Sequence, residues 1–361
     1  MSNLKAQTKH LIIAPKESRR AKFWIQLLEQ NNLSYLHLSY LDIISDYFSL
    51  EKDIQYIVRL ESAGEDFETY QSIIHFEKNA TNQILAKENF GELSNFESWY
   101  IGWEKVLKKI KDLENIFQLK FINEPLDIAL AFNKKATQKL LLENKVSCPE
   151  ILTSTSYESL ISEMKAKKIA QVFIKPIAGS SASGIMAFRY FDSEKQKAYS
   201  TVKKKNGNFY NSLKVQTYET KEAIKEVFNE IAKSELQIER WVPKWQFNKM
   251  NVDFRVVVIN KKVEFIVPRG SRSPITNLHL GNQKLKLEDL NLSSEIIEKI
   301  KQIALETMLC FPGLHYAGID VLLSKKAKVY VLEVNPFGDM LLNIVNEKGN
   351  TTYEQELESL I

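Results

Sequence analysis

The sequence predicts a mixed α/β protein of two or three subdomains that opens with a small parallel α/β unit. Three observations predict it. Strand-like and helix-like runs alternate from His10 onward, as strand–helix–strand units require. Further along, strand-like runs come in neighbouring pairs joined by short turns. And 361 residues are more than one ordinary core encloses.

Composition narrows the class. The chain is 44% hydrophobic and 26% charged, the balance of a soluble globular protein. Its 49 Lys and Arg against 45 Asp and Glu leave a net charge of +4, only weak support for an anionic partner. No RNA-binding or zinc-finger signature accompanies it, so no nucleic-acid partner is expected. Cys148 and Cys310 sit in apolar settings and read as reduced core thiols of a cytoplasmic protein. The five histidines show no metal-ligand spacing, and no apolar run is long enough to span a membrane.

The elements follow in order. His10 to Ala14 reads as a short buried strand, and Ser18 to Asn31 as a helix with Ala21, Trp24, Ile25, Leu27 and Leu28 on one side. Leu36 to Leu38 and Ile54 to Leu60 are further strands. A helix around 95–113 carries Trp99, Trp103, Val106 and Leu107 at helical spacing, which points to core. Asn133 is the N-cap of the next helix and Pro149 ends its pattern. Lys134 then falls in the first turn, where it opposes the helix dipole. A bound anion would explain it, as would a solvated surface beside Lys135 and Lys139.

The run Ala170 to Ile174 ends in Lys175-Pro176, and Gly179 to Gly184 then carry nothing larger than a hydroxymethyl group. Such a stretch is either a hairpin connection or a loop whose N–H groups and hydroxyls approach an anion. It matches neither the P-loop nor the dinucleotide fingerprint. Leu236 to Glu239 is a strand, followed by Trp241, Val242 and Pro243. Two strands joined by Asn260-Lys261 come next, with Asp253 and Arg255 on one face. After the loop 271–282 and a helix from about Ser293 to Leu309, two apolar strands carry Asp320, Glu333 and Asn335. Hard oxygen donors on adjacent apolar strands suit Mg²⁺ bridging phosphates.

In this order, the helix-opening lysine, Lys-Pro-x-x-Gly-Ser-Ser-x-x-Gly, Ile-Glu-x-Trp-Val, Asp-x-Arg, Asp and Leu-Glu-Val-Asn resemble the ATP-grasp superfamily over roughly residues 120–345. Asn277, Leu278 and His279 with Gly281 resemble the RimK-type ligases within it. The resemblance implies two α+β lobes sandwiching ATP behind the parallel unit, with bounds at 1–120, 121–235 and 236–361. It implies that Lys134 and Lys175 hold the α- and β-phosphates. Gly179, Ser180, Ser181, Ser183 and Gly184 would form the loop that closes over them. Glu239 would accept from the adenine amino group, Trp241 and Val242 would offer backbone contacts, and Gln246 stands where a ribose ligand is often acidic. Asp320, Glu333 and Asn335 match the ligands of Mg²⁺, with Mn²⁺ as the alternative. Arg255 and Asn277 match positions near the γ-phosphate and the reacting carboxylate.

The implied activity is ADP-forming ligation of a carboxylate to an amine through an acylphosphate. A kinase and a non-catalytic nucleotide scaffold are the other outcomes. Arg255, Arg269 and Arg272 cluster around the 271–282 loop, and their forks suit a peptide or acidic amino-acid substrate. No membrane partner is expected, and self-association is left open. The pattern departs from the family at Gln246, at Leu280 where RimK-type enzymes carry arginine, at Asn335-Pro-Phe-Gly-Asp339, and in a long 191–219 connection whose Lys203–Gly207 run reads as a solvated turn. Lys175 is expected to be unpaired without nucleotide, so that Lys175→Ala leaves the melting temperature of the nucleotide-free protein unchanged.

Overall fold

The computed structural model describes residues 8–64, 66–78, 91–93, 96–179, 182–193, 195–276 and 282–360. The first unit is a parallel sheet of β1 (Thr8–Ile13), β2 (Tyr35–Leu38), β3 (Gln55–Leu60) and β4 (Gln118–Phe121), ordered β2-β1-β3-β4. Its helices are α1 (Arg19–Gln30), α2 (Tyr40–Ile44), α3 (Phe67–Lys78) and α4 (Phe96–Asp112). Ser18 caps α1 by accepting from the Ala21 N–H, as its position before the apolar stripe requires. Trp99 and Trp103 of α4 are core residues. Gly102 lets α4 close on α3, because a Cβ there would lie 2.3 Å from the Ile73 carbonyl oxygen.

Two helices lead out of this unit, α5 (Pro125–Phe132) and α6 (Lys134–Glu143). Asn133 caps α6, its side chain accepting from the Ala136 N–H at 2.9 Å. The second sheet is antiparallel and ordered β5-β10-β6-β7-β8-β9. Its strands are β5 (Ile151–Leu152), β6 (Gln171–Pro176), β7 (Met186–Tyr190), β8 (Gln196–Lys205), β9 (Asn208–Tyr218) and β10 (Leu236–Arg240), with helices α7 (Tyr157–Ala166) and α8 (Lys221–Ile231). The strand expected to open the C-terminal lobe is thus built into the central sheet. Of the Lys203–Gly207 run, Lys203 to Lys205 are strand and only Asn206 and Gly207 turn, at φ of 51° and 87°, the pair that a two-residue hairpin favours.

The third sheet runs β14-β13-β12-β15-β16, with β11 paired to β12. Its strands are β11 (Gln246–Phe247), β12 (Met250–Ile259), β13 (Lys262–Ser271), β14 (Gln283–Lys284), β15 (Tyr316–Leu323) and β16 (Val329–Asn335), followed or flanked by α9 (Ser294–Leu309) and α10 (Thr352–Glu358). Ser293 caps α9.

The cores do not follow the three sheets. One cluster belongs to the central sheet, with Leu160, Met164, Ile174, Phe188 and Phe228. Another runs without a break from Trp103 of the first unit to Val256 and Ile319 of the third. A smaller cluster joins Trp24 of α1 to Tyr316 and Tyr353. At that seam Arg59 is fully enclosed. Its Nε donates to Glu61 and its Nη1 to Glu356 of α10, each at 2.7 Å. Its guanidinium lies 4.1 Å from the Trp24 ring, 4.9 Å from Tyr316 and 4.6 Å from Tyr353. Burial pushes the Glu356 carboxyl up to about 7, despite Arg59 beside it.

Candidate active site

Antiparallel pairing assembles the site from residues distant in sequence. In the third sheet Arg255 of β12 stands opposite Asp320 of β15, and Asp320 opposite Glu333 of β16, so all three share a face. The β15–β16 register slips by one residue after Asp320, leaving Leu332 as a bulge beside the two carboxylates. Asn335 faces Gly318 and donates to its carbonyl at 3.3 Å. A Cβ on Gly318 would meet Arg255 Nη1 at 2.6 Å, so glycine there clears the path of the arginine.

Charges alternate across this face. Lys244 lies 2.7 Å from Asp253 and also bonds Thr276. Arg269 reaches Asp253 at 2.8 Å and Asp320 at 3.1 Å. Arg255 lies 2.7 Å from Asp320 and 3.7 Å from Asp339. Burial raises the Asp253 carboxyl, but Arg269 and Lys244 outweigh it and hold the group down at about 2. For Asp320 burial prevails over Arg255 and Arg269 and the carboxyl is raised.

Facing this sheet, β6 and β10 contribute Lys175 and Glu239, which are buried and ion-paired with each other. Lys134 Nζ donates to the Gly179 carbonyl at 2.7 Å and lies 3.5 Å from Glu333. Burial lowers the Lys134 ammonium, with Lys175 adding to that effect and Glu333 opposing it. The expectation of an unpaired Lys175 is therefore overturned. Its partner Glu239 is 2% exposed, and no buried carboxylate is left without a counter-charge cheaply.

A cavity of about 80 Å³ lies here, walled by Phe173, Lys175, Glu239, Val242 and Lys244 among others. Trp241 instead packs on Phe173 and Arg189, and both its backbone groups are engaged by Gln171. Val242, not Trp241, lines the cavity. Gln246 is exposed on β11 and bonds Asn251. Arg272 is exposed on the loop after β13. Gly179 to Gly184 does connect the neighbouring strands β6 and β7, with Ala182 and Gly184 at φ of 60° and 67°. Thr201 donates to the Ala182 carbonyl at 2.7 Å, and Ser183 is half-buried. Ser180, Ser181 and Asn277 lie outside the described residues.

Sequence reasoning missed Lys244, Thr276 and Asp339. Asp339 carried a signal, since it sits in the stretch where the family pattern breaks. Lys244 carried none, because its partner Asp253 is found only through the fold.

Asp320, Glu333 and Asn335 fit a magnesium ion held jointly with phosphates. Two carboxylates and one amide oxygen are too few for an all-protein cage, and Mg²⁺ prefers such partial sets. Among the described residues no group of three His, Cys, Asp or Glu forms a cage. The buried Asp320 Oδ1 makes no hydrogen bond, although Arg255 is close by.

Comparison with known proteins agrees with this architecture. The fold is shared with an ATP-grasp ligase, PsnB, solved with a phosphomimetic variant of its minimal precursor, Mg and ADP (TM-score 0.55, 13% identity, 98% of each chain covered). D-alanine–D-alanine ligase from Bacillus anthracis, complexed with ATP, matches at a TM-score of 0.56 and 13% identity, over 99% of this chain and 96% of that one. The macrocyclase MdnC bound with precursor peptide MdnA, from Microcystis aeruginosa MRC, gives 0.54 and 12% over 98% of each. The family model described as YheC/D-like ATP-grasp matches residues 119–357, and the chain belongs to that family. The superfamily resemblance thus holds, and the family matched is the YheC/D-like one. No curated protein sequence matches.

Proposed function

We propose that this ATP-grasp enzyme joins a carboxylate to an amine with release of ADP and phosphate. The observation that carries the reading is where the two cavities meet. The cavity beside Lys175 and Glu239 and a second one of about 420 Å³ share Ala182, Asp320 and Glu333 as walls. Metal-binding carboxylates at that junction would place a γ-phosphoryl group between nucleotide and substrate. Magnesium there would neutralise charge on the transferring group.

The residues then take these roles. Lys134 and Lys175 exchange their pairing with Glu333 and Glu239 for the phosphates, and Glu239 is freed to accept from the adenine amino group. Arg255 and Arg269 lie against Asp320 and face the transferred group. The substrate carboxylate oxygen bonds to the γ-phosphorus as the bond to the β-phosphate oxygen breaks. The amine nitrogen then attacks the acyl carbon, phosphate leaves with its electron pair, and the nitrogen loses its proton. We read Gly179 to Gly184 as the loop that orders over the phosphates and excludes water. We place the units at 1–120, 121–235 and 236–361, with β10 serving the central sheet. The two free thiols support a cytoplasmic setting, and among the described residues no helix is long and apolar enough to cross a membrane.

Nucleotide products test the reaction class: ADP and phosphate are expected, and AMP with pyrophosphate would refute it. Hydroxylamine added during turnover is expected to trap a hydroxamate. A stable phosphate ester in its place would make the protein a kinase.

A further inference from the structure

The larger cavity has features that the ligase reading does not use. Its walls come from the first unit as well as the third, through Arg19, Arg20, Ser62 and Gly64. Five basic residues line it, Arg19, Arg20, Arg255, Arg269 and Lys284, against the acids Asp320, Glu333 and Asp339. Two of those acids are the metal-binding carboxylates, so a bound cation would leave the cavity still more positive. Arg255 and Arg269 are committed to Asp320. Arg19 and Arg20 come to the cavity from a different element, the helix of the first unit, where Arg20 pairs with Glu61.

Arg20 is held in place. Its Nη1 donates to the Phe337 carbonyl at 2.8 Å and lies 3.7 Å from Glu61. Glu61 is itself gripped by the enclosed Arg59, which Glu356 anchors. Fastening α1 would require Arg20 alone. It does not explain Arg19, exposed in the same first turn, where two cations and no acid add to the positive end of the helix. The same cavity also carries apolar wall, with Phe132, Phe337, Met340 and Leu342. A short hydrocarbon stem bearing two anions suits a cavity that combines apolar wall with basic side chains from two separate elements.

We propose that the cavity takes a substrate bearing a carboxylate besides the one that is activated, an acidic amino acid either free or within a peptide, with Arg19 and Arg20 binding the second carboxylate. The inference rests on the ligase reading. It differs in assigning the anion recognition to α1, and not to the loop that carries Arg272.

The test is calorimetric titration of the full chain, first with ADP and Mg²⁺ and then, in their presence, with ligand pairs. The pairs are L-glutamate against L-glutamine, L-aspartate against L-asparagine, and a tripeptide with central glutamate against its glutamine counterpart. At least one acid is expected to bind about tenfold or more tightly than its amide, the worth of a charge-assisted hydrogen bond. Arg19→Gln and Arg20→Gln should each weaken the acid by about tenfold and leave the amide unchanged, whereas Arg20→Lys should retain most of the affinity. Arg19 is exposed, so its variant stays informative even if Arg20→Gln loosens the fold. Equal binding of acid and amide, indifference to both substitutions, or no acid binding to a chain that binds ADP–Mg²⁺ would each overturn the inference alone. A chain that binds no ADP–Mg²⁺ would overturn the ligase reading, and this inference with it.

Discussion

The central sheet and the two outer sheets are built on different terms. The central lobe builds its core between β6, β7, α7 and α8, and its apolar cluster takes Leu93 from the first unit but no residue of the first or third sheet. The first and third sheets share a core and are further tied by the Arg59 cluster. Chain order would put the central lobe between two independent neighbours, whereas packing makes those neighbours one body. Lys175 and Glu239 thus belong to a lobe with a core largely its own, Asp320 and Glu333 to the fused body, and the proposed nucleotide site lies between them. Motion of one against the other has to give up the apolar contacts that cross between the cores, those of Leu93 with the central cluster and of Ile177 and Ala178 with the other.

Removing the tie within the fused body should have the largest effect. Arg59→Met takes the buried counter-charge from Glu356 and leaves Glu61 with Arg20 at 3.7 Å, a loss of about 3–5 kcal/mol. Urea unfolding followed by near-ultraviolet circular dichroism should then split into two steps, the central lobe melting second. A single step at an unchanged midpoint would refute the two-body division.

Lys175→Ala tests the central lobe's side of the site. It leaves Glu239 buried and unpaired and should cost about 3 kcal/mol of nucleotide-free stability. The variant should also lose most of the thermal shift that ATP–Mg²⁺ gives the parent protein. Glu239→Gln added to it should recover the stability without the shift, a result read from paired melting curves.

The seam should also respond to pH. The Glu356 carboxyl is raised from the usual carboxylate range to about 7 in the folded protein, so the folded state binds the proton more tightly than the unfolded chain. Its contribution is complete below the ordinary glutamate pKa and is lost as pH rises through about 7. Each unit of separation is worth about 1.4 kcal/mol. Glu356→Gln should flatten the stability profile between pH 5 and pH 8, whereas no such flattening should follow a change in the central lobe. Denaturant midpoints taken across that range read the difference.

The smallest effect belongs to the surface of the central lobe. Lys204 on β8 pairs with Glu226 on α8, both well exposed. Lys204→Ala should change stability by no more than about 0.5 kcal/mol. A larger change in the denaturant midpoint would mean that the β8–β9 hairpin is held by charge and not by packing.

Local rules were readable without the fold. Ser18, Asn133 and Ser293 cap helices because a short polar side chain before an apolar stripe has one common use. Asn260-Lys261 turns a hairpin because both residues tolerate positive φ, here 46° and 62°. The order of lysine, glutamate and metal-ligand motifs pointed to the superfamily. What could not be read was pairing at a distance. Lys175 and Glu239 are 64 residues apart, and nothing near either one tells that they neutralise each other. Lys244 and Asp253 are closer in sequence, yet they meet only because β11 folds back on β12. The merging of two sheets into one core was likewise invisible, since an apolar stripe does not name its partner.

The enclosed arginine also sets a timetable for synthesis. Arg59 and Glu356 are 297 residues apart. While the ribosome makes the intervening chain, the first sheet can pair its strands, but the guanidinium lacks one of its two carboxylates and two of its three aromatic neighbours, Tyr316 and Tyr353. The central lobe needs nothing from that late segment. It can finish folding on a nascent chain whose earlier part is still waiting, so a pause in translation between residues 240 and 316 would release a folded middle with an unfinished beginning.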